Sequence, residues 1–251
     1  MRLVDGRVLK QLLGYAVDVL LPPRCPGCGA EGVQRHGLLC GGCFQKISFI
    51  SAPLCSRCGV PFAAAALGPV CPACQTTPPR YEQARAALRY DDGARQLILP
   101  LKHADRVDLA AGLVPFMVRA GRDLIEAADL IVAVPLHRTR LRRRKYNQAG
   151  LLARGVARHA GRPAVLDALL RTRGTMPLQG KTAAERAAEL AGAFVARPSR
   201  VQALADRRVL LVDDVMTSGA TANACAEALL MGGARAVNVL TAARVPDPRL
   251  A

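Results

Sequence analysis

The chain has 251 residues, 51% of them hydrophobic, and a formal net charge of +16. This hydrophobic content excludes a disordered chain and is enough for one ordinary domain with a small one attached. The positive charge favours a polyanionic partner such as nucleic acid, although abundant arginine also arises from the codon usage of a GC-rich genome.

The first predicted element is an amphipathic helix. Apolar residues recur at helical spacing between residues 4 and 20, and the pattern stops at Pro22. Asp5, Lys10 and Asp18 interrupt the apolar stretch, and no small-residue cleavage site follows it. This pattern argues against a signal peptide and against a membrane span. We therefore expect the helix to pack against the rest of the protein and the chain to be cytoplasmic.

Eight of the nine cysteines form four Cys-x-x-Cys pairs, which is enough for two tetrathiolate sites. Each pair places two sulfurs on one tight turn, and two such turns complete the tetrahedron that Zn²⁺ prefers, with no open position for catalysis. A reducing cytosol disfavours disulfides, whereas an iron–sulfur cluster stays open as an alternative. The predicted metal ligands are Cys25, Cys28, Cys40, Cys43, Cys55, Cys58, Cys71 and Cys74.

An internal repeat indicates which cysteines share a metal. The sequences Cys25-Pro-Gly-Cys28-Gly and Cys55-Ser-Arg-Cys58-Gly are alike, and each is followed by a second pair without that glycine. A duplicated ribbon with two structural zinc ions is therefore predicted, the first four cysteines binding one ion and the next four the other. A cross-braced pairing remains an alternative. Cys225 lies in a later helix and is interpreted as a small buried residue.

A domain boundary is predicted near residue 80, where Pro78 and Pro79 end the metal module. Residues 1–80 would hold the N-terminal helix and the double zinc ribbon, and residues 81–251 an α/β domain. In the second part, 84–90 is predicted as a strand, 91–93 as a turn, 94–102 as a short helix interrupted by Pro100, and 130–134 as a buried strand.

A dense basic segment follows the strand that ends at Val134. We predict a loop there, before a helix that begins at Tyr146-Asn147-Gln148. A loop at the carboxyl end of a strand is where a diphosphate group would lie, although a solvated arginine surface is the alternative for each individual side chain. The residues assigned to this diphosphate loop and basic patch are Pro135, Leu136, His137, Arg138, Arg142, Arg143 and Arg144.

A second long loop is predicted between Gly174 and Lys181. It ends at Thr182, which forms the capping-box pattern Thr-x-x-Glu with Glu185 and so starts the next helix. The segment is expected to move over the site. Its residues Thr175 and Gln179 would either contact substrate or be solvated.

The apolar run at 209–212 leads directly into Asp213-Asp214-Val-Met-Thr217-Ser-Gly-Ala-Thr221. This pattern indicates a buried strand, a glycine turn and a helix over 221–230, and a further strand follows at 237–240. Backbone N–H groups of such a turn converge on an anion at the helix N-terminus. No lysine lies in the turn, so it is not a P-loop, and a single phosphate fits better. The alternative is an ordinary strand whose acids cap the helix.

These residues match the 5-phosphoribosyl-1-diphosphate (PRPP) motif of type I phosphoribosyltransferases. The resemblance implies that Asp213 and Asp214 hold the ribose 2- and 3-hydroxyls. It also implies that Mg²⁺ binds together with PRPP. The residues that would surround the 5-phosphate are Thr217, Ser218, Gly219, Ala220 and Thr221.

Over nearly its whole length the chain resembles the ComF family of competence proteins. The resemblance rests on the cysteine ribbons, Val134-Pro-Leu-His137, Arg144-Lys-Tyr-Asn-Gln148, Gly192-Ala-Phe194 and the PRPP motif. It implies an α/β fold with a type I phosphoribosyltransferase-like parallel sheet flanked by helices and a small N-terminal double zinc-ribbon module. It further implies DNA uptake in natural transformation, single-stranded DNA as a partner, and other competence proteins as further partners.

Two functional hypotheses follow. The first is a PRPP-binding protein that grips single-stranded DNA, although with 4% aromatic residues and no Trp a base-stacking surface has to come from a few Tyr, Phe, His or Arg side chains. The second is an active cytosolic phosphoribosyltransferase of nucleotide metabolism whose ribbons are purely structural. Thr217 stands where hypoxanthine-type enzymes carry a general-base Asp, so neither a catalytic residue nor the acceptor is assigned.

Overall fold

The computed structural model describes residues 22–31, 33, 39–63, 68–103, 106–174 and 182–250. The predicted helix between residues 4 and 20 lies outside these ranges, as do Thr175 and Gln179 of the predicted second loop.

A four-stranded parallel sheet with the order β1-β6-β5-β2 forms the centre of the molecule. Val212 of β5 pairs with Ala133 of β2 on one side and with Leu240 of β6 on the other, so the carboxyl ends of these strands lie side by side. A separate antiparallel pair is formed by β3 and β4. The strands are β1 (Ala84–Arg89), β2 (Leu130–Ala133), β3 (Leu169–Arg171), β4 (Phe194–Ala196), β5 (Arg208–Met216) and β6 (Ala236–Arg244).

Helices cover both faces of the sheet. On one face α4 packs against β1 and β6, and α7 packs against β2, β5 and α4; on the other face α10 packs against β5, β6 and the β3-β4 pair. The described helices are α1 (Gly41–Gln45), α2 (Pro72–Thr76), α3 (Asp92–His103), α4 (Asp108–Ala120), α5 (Arg122–Glu126), α6 (Arg138–Arg144), α7 (Gln148–Ala160), α8 (Ala183–Leu190), α9 (Val201–Leu204) and α10 (Ala220–Met231), with a 3₁₀ turn at Pro198–Arg200. The predicted fold class, a parallel α/β sheet flanked by helices, is confirmed.

The helix starts follow from local sequence. The capping box predicted at Thr182 and Glu185 is present, with both reciprocal hydrogen bonds formed. The predicted turn at 91–93 is largely helix, because α3 begins at Asp92 and the Asp91 carboxylate accepts a hydrogen bond from the Ala94 N–H at 3.0 Å. Pro100 lies inside α3 and does not end it.

The prediction of a basic loop after β2 was wrong for residues 138–144, which are helical. Arg138–Arg144 is the helix α6. Its N-cap is His137, whose ring nitrogen accepts a hydrogen bond from the Thr139 N–H at 3.4 Å. Arginine and leucine are good helix formers, and no Gly or Pro interrupts the segment. The helix ends at Lys145, which has a left-handed φ of 65°.

The cysteine-rich module lies against the edge of the sheet. The segment around Phe49 runs antiparallel to β1, with hydrogen bonds from Arg89 N–H to Ser48 O and from Ile50 N–H to Ala87 O. The second ribbon shares the main hydrophobic core, whereas the first has a small core of its own. None of the helices in the described ranges is long and apolar enough to cross a membrane.

Candidate metal and sugar-phosphate sites

The eight paired cysteines form two four-sulfur groups, each made of consecutive pairs. In both groups the Sγ atoms all lie within 4.8 Å of one another. The Cys28–Cys40 and Cys58–Cys71 sulfurs are 3.7 Å apart, close to the edge of about 3.8 Å that a tetrahedron with Zn–S bonds of about 2.3 Å requires. The geometry therefore fits two closed zinc sites and follows the sequential pairing, not the cross-braced one.

The electrostatics of each group favour a bound cation. Burial opposes ionisation of the Cys25 thiol, yet neighbouring backbone N–H groups, led by that of Cys40, bring its pKa down to about 6. Burial and the other cysteines of the group raise the pKa of Cys43 to about 12. The second group shows the same contrast, with the pKa of Cys55 lowered to about 7 by backbone N–H groups against its burial, and that of Cys58 raised by burial to about 11. Four thiolates coexist at this spacing only when a metal ion compensates their charge.

The second zinc site is connected to the sheet through Arg244, the last residue of β6. Arg244 is buried, and its Nη2 donates a hydrogen bond to the Cys58 sulfur at 3.4 Å. The same residue pairs with Met216 at the end of β5. Cys58 thus contacts the strand end that pairs with the end of β5, directly before the glycine turn.

The proposed phosphate turn adopts the expected strand, turn and helix arrangement. Strand β5 continues through both acids to Met216, and α10 begins at Ala220 with Gly219 as its N-cap. Gly219 has a φ of 83°, a conformation that favours glycine. Thr217 and Ser218 are exposed at the tip of the turn, so their backbone and hydroxyl groups are accessible to a ligand.

Behind this turn, the Tyr81 side chain supports Gly219. Tyr81 is buried, and its hydroxyl oxygen lies 3.2 Å from the position that a Cβ on Gly219 would take. Burial raises the pKa of Tyr81, so the phenol stays neutral. The turn therefore has space for glycine and little for a larger residue.

A cavity of about 200 Å³ opens between the carboxyl ends of β2 and β5. It brings together residues from both predicted segments. Arg138, Arg142 and Arg143 are exposed and do not line it. The predicted residues that do line it are Pro135, Leu136, Arg144, Asp213, Asp214 and Thr221.

The two acids differ in their surroundings. Lys102 Nζ lies 3.3 Å from Asp214 Oδ1, and both side chains are largely buried. Burial and the neighbouring Asp214 raise the pKa of Asp213 to about 7, although the Asp214 N–H donates a hydrogen bond to Asp213 Oδ1 at 2.8 Å. The Asp213 carboxyl is therefore partly protonated near neutral pH.

Basic residues from three separate elements of the chain line the same cavity. Lys102 comes from α3, Arg140 and Arg144 from α6, and Arg171 from β3. Burial lowers the pKa of Arg144 and of Arg171, as expected for cations held partly out of water. Arg171 also lies over the Phe194 ring at 5.4 Å from its centroid.

Lys102, Arg140 and Arg171 were not among the predicted site residues, and neither were two polar residues at the start of α7. Asn147 Nδ2 donates to the Val134 carbonyl at 2.9 Å, and the buried Gln148 accepts from Arg144 at 3.2 Å. Asn147 and Gln148 could have been found from the sequence, because they directly follow the basic segment.

Comparisons with known proteins cover both halves of the chain. The family model described as a double zinc ribbon domain matches residues 16–79. Competence protein F of Haemophilus influenzae is 30% identical over 227 residues, covering 88% of this chain and 96% of that protein. The DNA utilization protein YhgH of Escherichia coli is 30% identical over 225 residues, covering 87% of this chain and 96% of that protein.

Among solved structures, the glutamine PRPP amidotransferase from B. subtilis complexed with ADP and GMP is similar to 58% of this chain, with a TM-score of 0.37 and 22% identity. The match covers 30% of that protein. A similarity this remote carries no argument about function.

Proposed function

Because the chain belongs to the ComF family, to which competence protein F belongs, we propose that it binds PRPP at the carboxyl edge of its sheet and acts on single-stranded DNA in the cytoplasm during DNA uptake. The observation that carries the PRPP assignment is the distribution of charge in the cavity. The two carboxylates of β5 and the first turn of α10 line one part of the cavity, and four basic side chains line the rest together with apolar and amide groups.

Each chemical part of PRPP has a counterpart in this arrangement. The Asp213 and Asp214 carboxylates accept hydrogen bonds from the ribose 2- and 3-hydroxyls. The N–H groups of the turn at 217–221 bind the 5-phosphate at the start of α10, where the helix dipole favours an anion. Arg140, Arg144 and Arg171 then lie where the diphosphate would extend.

The pocket also fits Mg²⁺ bound together with the diphosphate. Mg²⁺ prefers carboxylate and phosphate oxygens, and the acids at 213 and 214 place such oxygens in the cavity. The ion would neutralise part of the diphosphate charge. The chain's own contribution is to orient the ribose through the two acids and to stabilise the diphosphate through arginine side chains held partly out of water.

The two zinc sites serve structure in this proposal. All four positions of each tetrahedron are occupied by cysteine sulfur, which leaves no open position for a reacting group. The second site contributes to the main core and contacts Arg244 at the carboxyl end of β6. It therefore supports the carboxyl ends of the strands, where the PRPP site is proposed.

DNA binding is supported by the names of the relatives and by charge. The YhgH relatives are DNA utilization proteins, and this chain has a net charge of +16. On α6, Arg138, Arg142 and Arg143 are exposed on the outer surface while Arg144 faces the cavity. The exposed arginines are therefore available to DNA phosphates when PRPP is bound.

A double substitution tests the PRPP site. Asp213→Ala with Asp214→Ala removes both acceptors of the ribose hydroxyls, and each charge-assisted hydrogen bond lost costs about 1.5 to 3 kcal/mol, so PRPP affinity should fall by more than about tenfold. Calorimetric titration with PRPP and Mg²⁺ measures this. The control is Asp129→Ala with Asp167→Ala, which removes two carboxylates away from the cavity. Unchanged PRPP binding in the folded variant that lacks both cavity acids would refute the assignment.

A second candidate function is phosphoribosyl transfer to a metabolic acceptor. The observation that favours it is that Arg140 and Arg144 line the PRPP cavity, where a leaving diphosphate needs charge stabilisation. Release of diphosphate from PRPP in the presence of candidate acceptors, with and without single-stranded DNA, separates a turning-over enzyme from a binding protein.

A further inference from the structure

Three of the five phenylalanines of the chain meet in one cluster on the surface. The ring centroids of Phe44 and Phe49 are 5.5 Å apart, those of Phe49 and Phe116 5.2 Å, and those of Phe44 and Phe116 6.2 Å. Phe44 follows the last cysteine of the first ribbon, Phe49 lies beside β1, and Phe116 is on α4. The cluster therefore forms where the zinc module meets the sheet domain.

Packing alone does not account for the exposure of these rings. Phe44 is 47% exposed and Phe49 is 39% exposed, whereas Phe62 and Phe194, the other two phenylalanines, are only 6% and 5% exposed. Rings that served only to join the two parts would gain most by being buried, as Phe62 and Phe194 are. Two aromatic faces in this cluster instead remain accessible to a ligand.

Two exposed cations neighbour the cluster in the chain, and the exposed acid Asp92 lies beside Lys46, because Gly93 packs against the Lys46 carbonyl. Lys46 is exposed two residues after Phe44, and Arg119 is exposed one helical turn after Phe116. Within the described part of the chain, the ion pairs include neither of these two cations. Accessible rings beside unpaired cations suit a ligand that combines flat apolar groups with negative charge.

We propose that Phe44, Phe49 and Phe116 form a base-stacking surface for single-stranded DNA, with Lys46 and Arg119 contacting its phosphates. Single-stranded nucleic acid offers unpaired bases beside a phosphate backbone, and aromatic side chains bind such bases regardless of sequence. An apolar protein surface would use the rings but not the two cations that are in no ion pair. The inference rests on the proposed DNA binding and adds a base-stacking surface to the phosphate contacts of the exposed α6 arginines; none of its three rings lines the PRPP cavity.

The absence of tryptophan from the chain gives a direct test. In the Phe49→Trp variant the only indole lies in the cluster, and stacking on a base quenches its fluorescence. We expect titration with an oligothymidylate to quench it in a saturable way, and an abasic strand of equal length to leave it nearly unchanged at equal occupancy. Met231→Trp is the matched control, because Met231 is 85% exposed at the end of α10, on the other face of the sheet.

A second variant tests the energetic contribution. Phe44→Leu with Phe49→Leu keeps apolar packing and removes the ring faces, so oligonucleotide affinity should fall about tenfold for each base that loses its stacking partner. The salt dependence of binding should not change, because no phosphate contact is lost. Two bound zinc ions in the variant would show that the ribbons are intact.

The outcomes separate this proposal from the function on which it rests. Oligonucleotide binding without quenching of the indole in the Phe49→Trp variant, or with full affinity in the leucine variant, overturns the stacking surface and leaves DNA binding in place. Indole fluorescence that changes with protein concentration in the absence of DNA identifies a self-association surface and also overturns it. No binding of any oligonucleotide by the wild-type chain refutes the DNA part of the proposed function, and the stacking surface with it.

Discussion

Replacing Gly219 with alanine should weaken PRPP binding for two separable reasons. Gly219 has a φ of 83°, and a residue with a Cβ in the left-handed region costs about 1 to 2 kcal/mol. The added Cβ would also lie 3.2 Å from the Tyr81 hydroxyl, which is buried and has little room to move. If the turn shifts to relieve this strain, its N–H groups no longer converge on the phosphate. The conformational part alone corresponds to a loss of about 5- to 30-fold in affinity.

Calorimetry with PRPP and Mg²⁺ measures the loss, and Tyr81→Phe separates the two parts because it removes the oxygen that the new methyl group would contact. We expect Gly219→Ala combined with Tyr81→Phe to recover some of the affinity that Gly219→Ala alone loses. The loss that remains would be the cost of placing alanine at a left-handed φ. Gly161→Ala is the matched control: Gly161 has a φ of 62° and open space around it, so stability should fall while PRPP affinity is kept. Wild-type PRPP affinity in Gly219→Ala would refute the assignment of this turn to the phosphate.

Three other predictions concern the metal, the DNA and the acids. The purified chain should hold two zinc ions and Cys55→Ser one, so metal analysis that finds none in the variant would contradict independent sites. Arg142→Ala with Arg143→Ala should reduce the salt slope of single-stranded DNA binding by about 1.4 and leave PRPP affinity unchanged, whereas Arg144→Ala should lower PRPP affinity. Because the pKa of Asp213 is raised to about 7, the ionised carboxylate is present above that pH and lost as the pH falls through it. PRPP affinity should therefore decrease from about pH 8 to about pH 6. An equal decrease in Asp213→Asn would assign the effect to another group.

The features that could be predicted from the sequence are those encoded within short segments. The strand leading into Asp213 and the repeat that begins at Cys25 and again at Cys55 each combine spacing with residue type, and the structure has both elements in the predicted places. The basic segment after β2 lies at the predicted strand end, but it is helical, because its arginine and leucine residues favour a helix despite their density of like charge.

The features that could not be predicted depend on long-range convergence. Lys102 and Arg171 reach the cavity only because α3 and β3 both end beside β5, which no local pattern indicates. The same holds for Phe44, Phe49 and Phe116, which are separated in sequence and meet only after the first ribbon packs beside β1 and α4. Sequence periodicity describes elements one at a time, whereas a cavity or a surface cluster is a property of their arrangement.

The contact between Arg244 and the Cys58 sulfur makes the sheet domain depend on the zinc module. A gene fragment encoding only the sheet domain would leave the Arg244 guanidinium without its sulfur partner and would expose the edge of β1 that Ser48 and Ile50 now cover. A buried cation without its partner and an open strand edge are both costly, the second because it invites aggregation. The ribbons therefore cannot be exchanged or removed freely. Recombination that separated them from the sheet would yield a poorly soluble sheet domain. Selection should retain the two halves as one heritable unit.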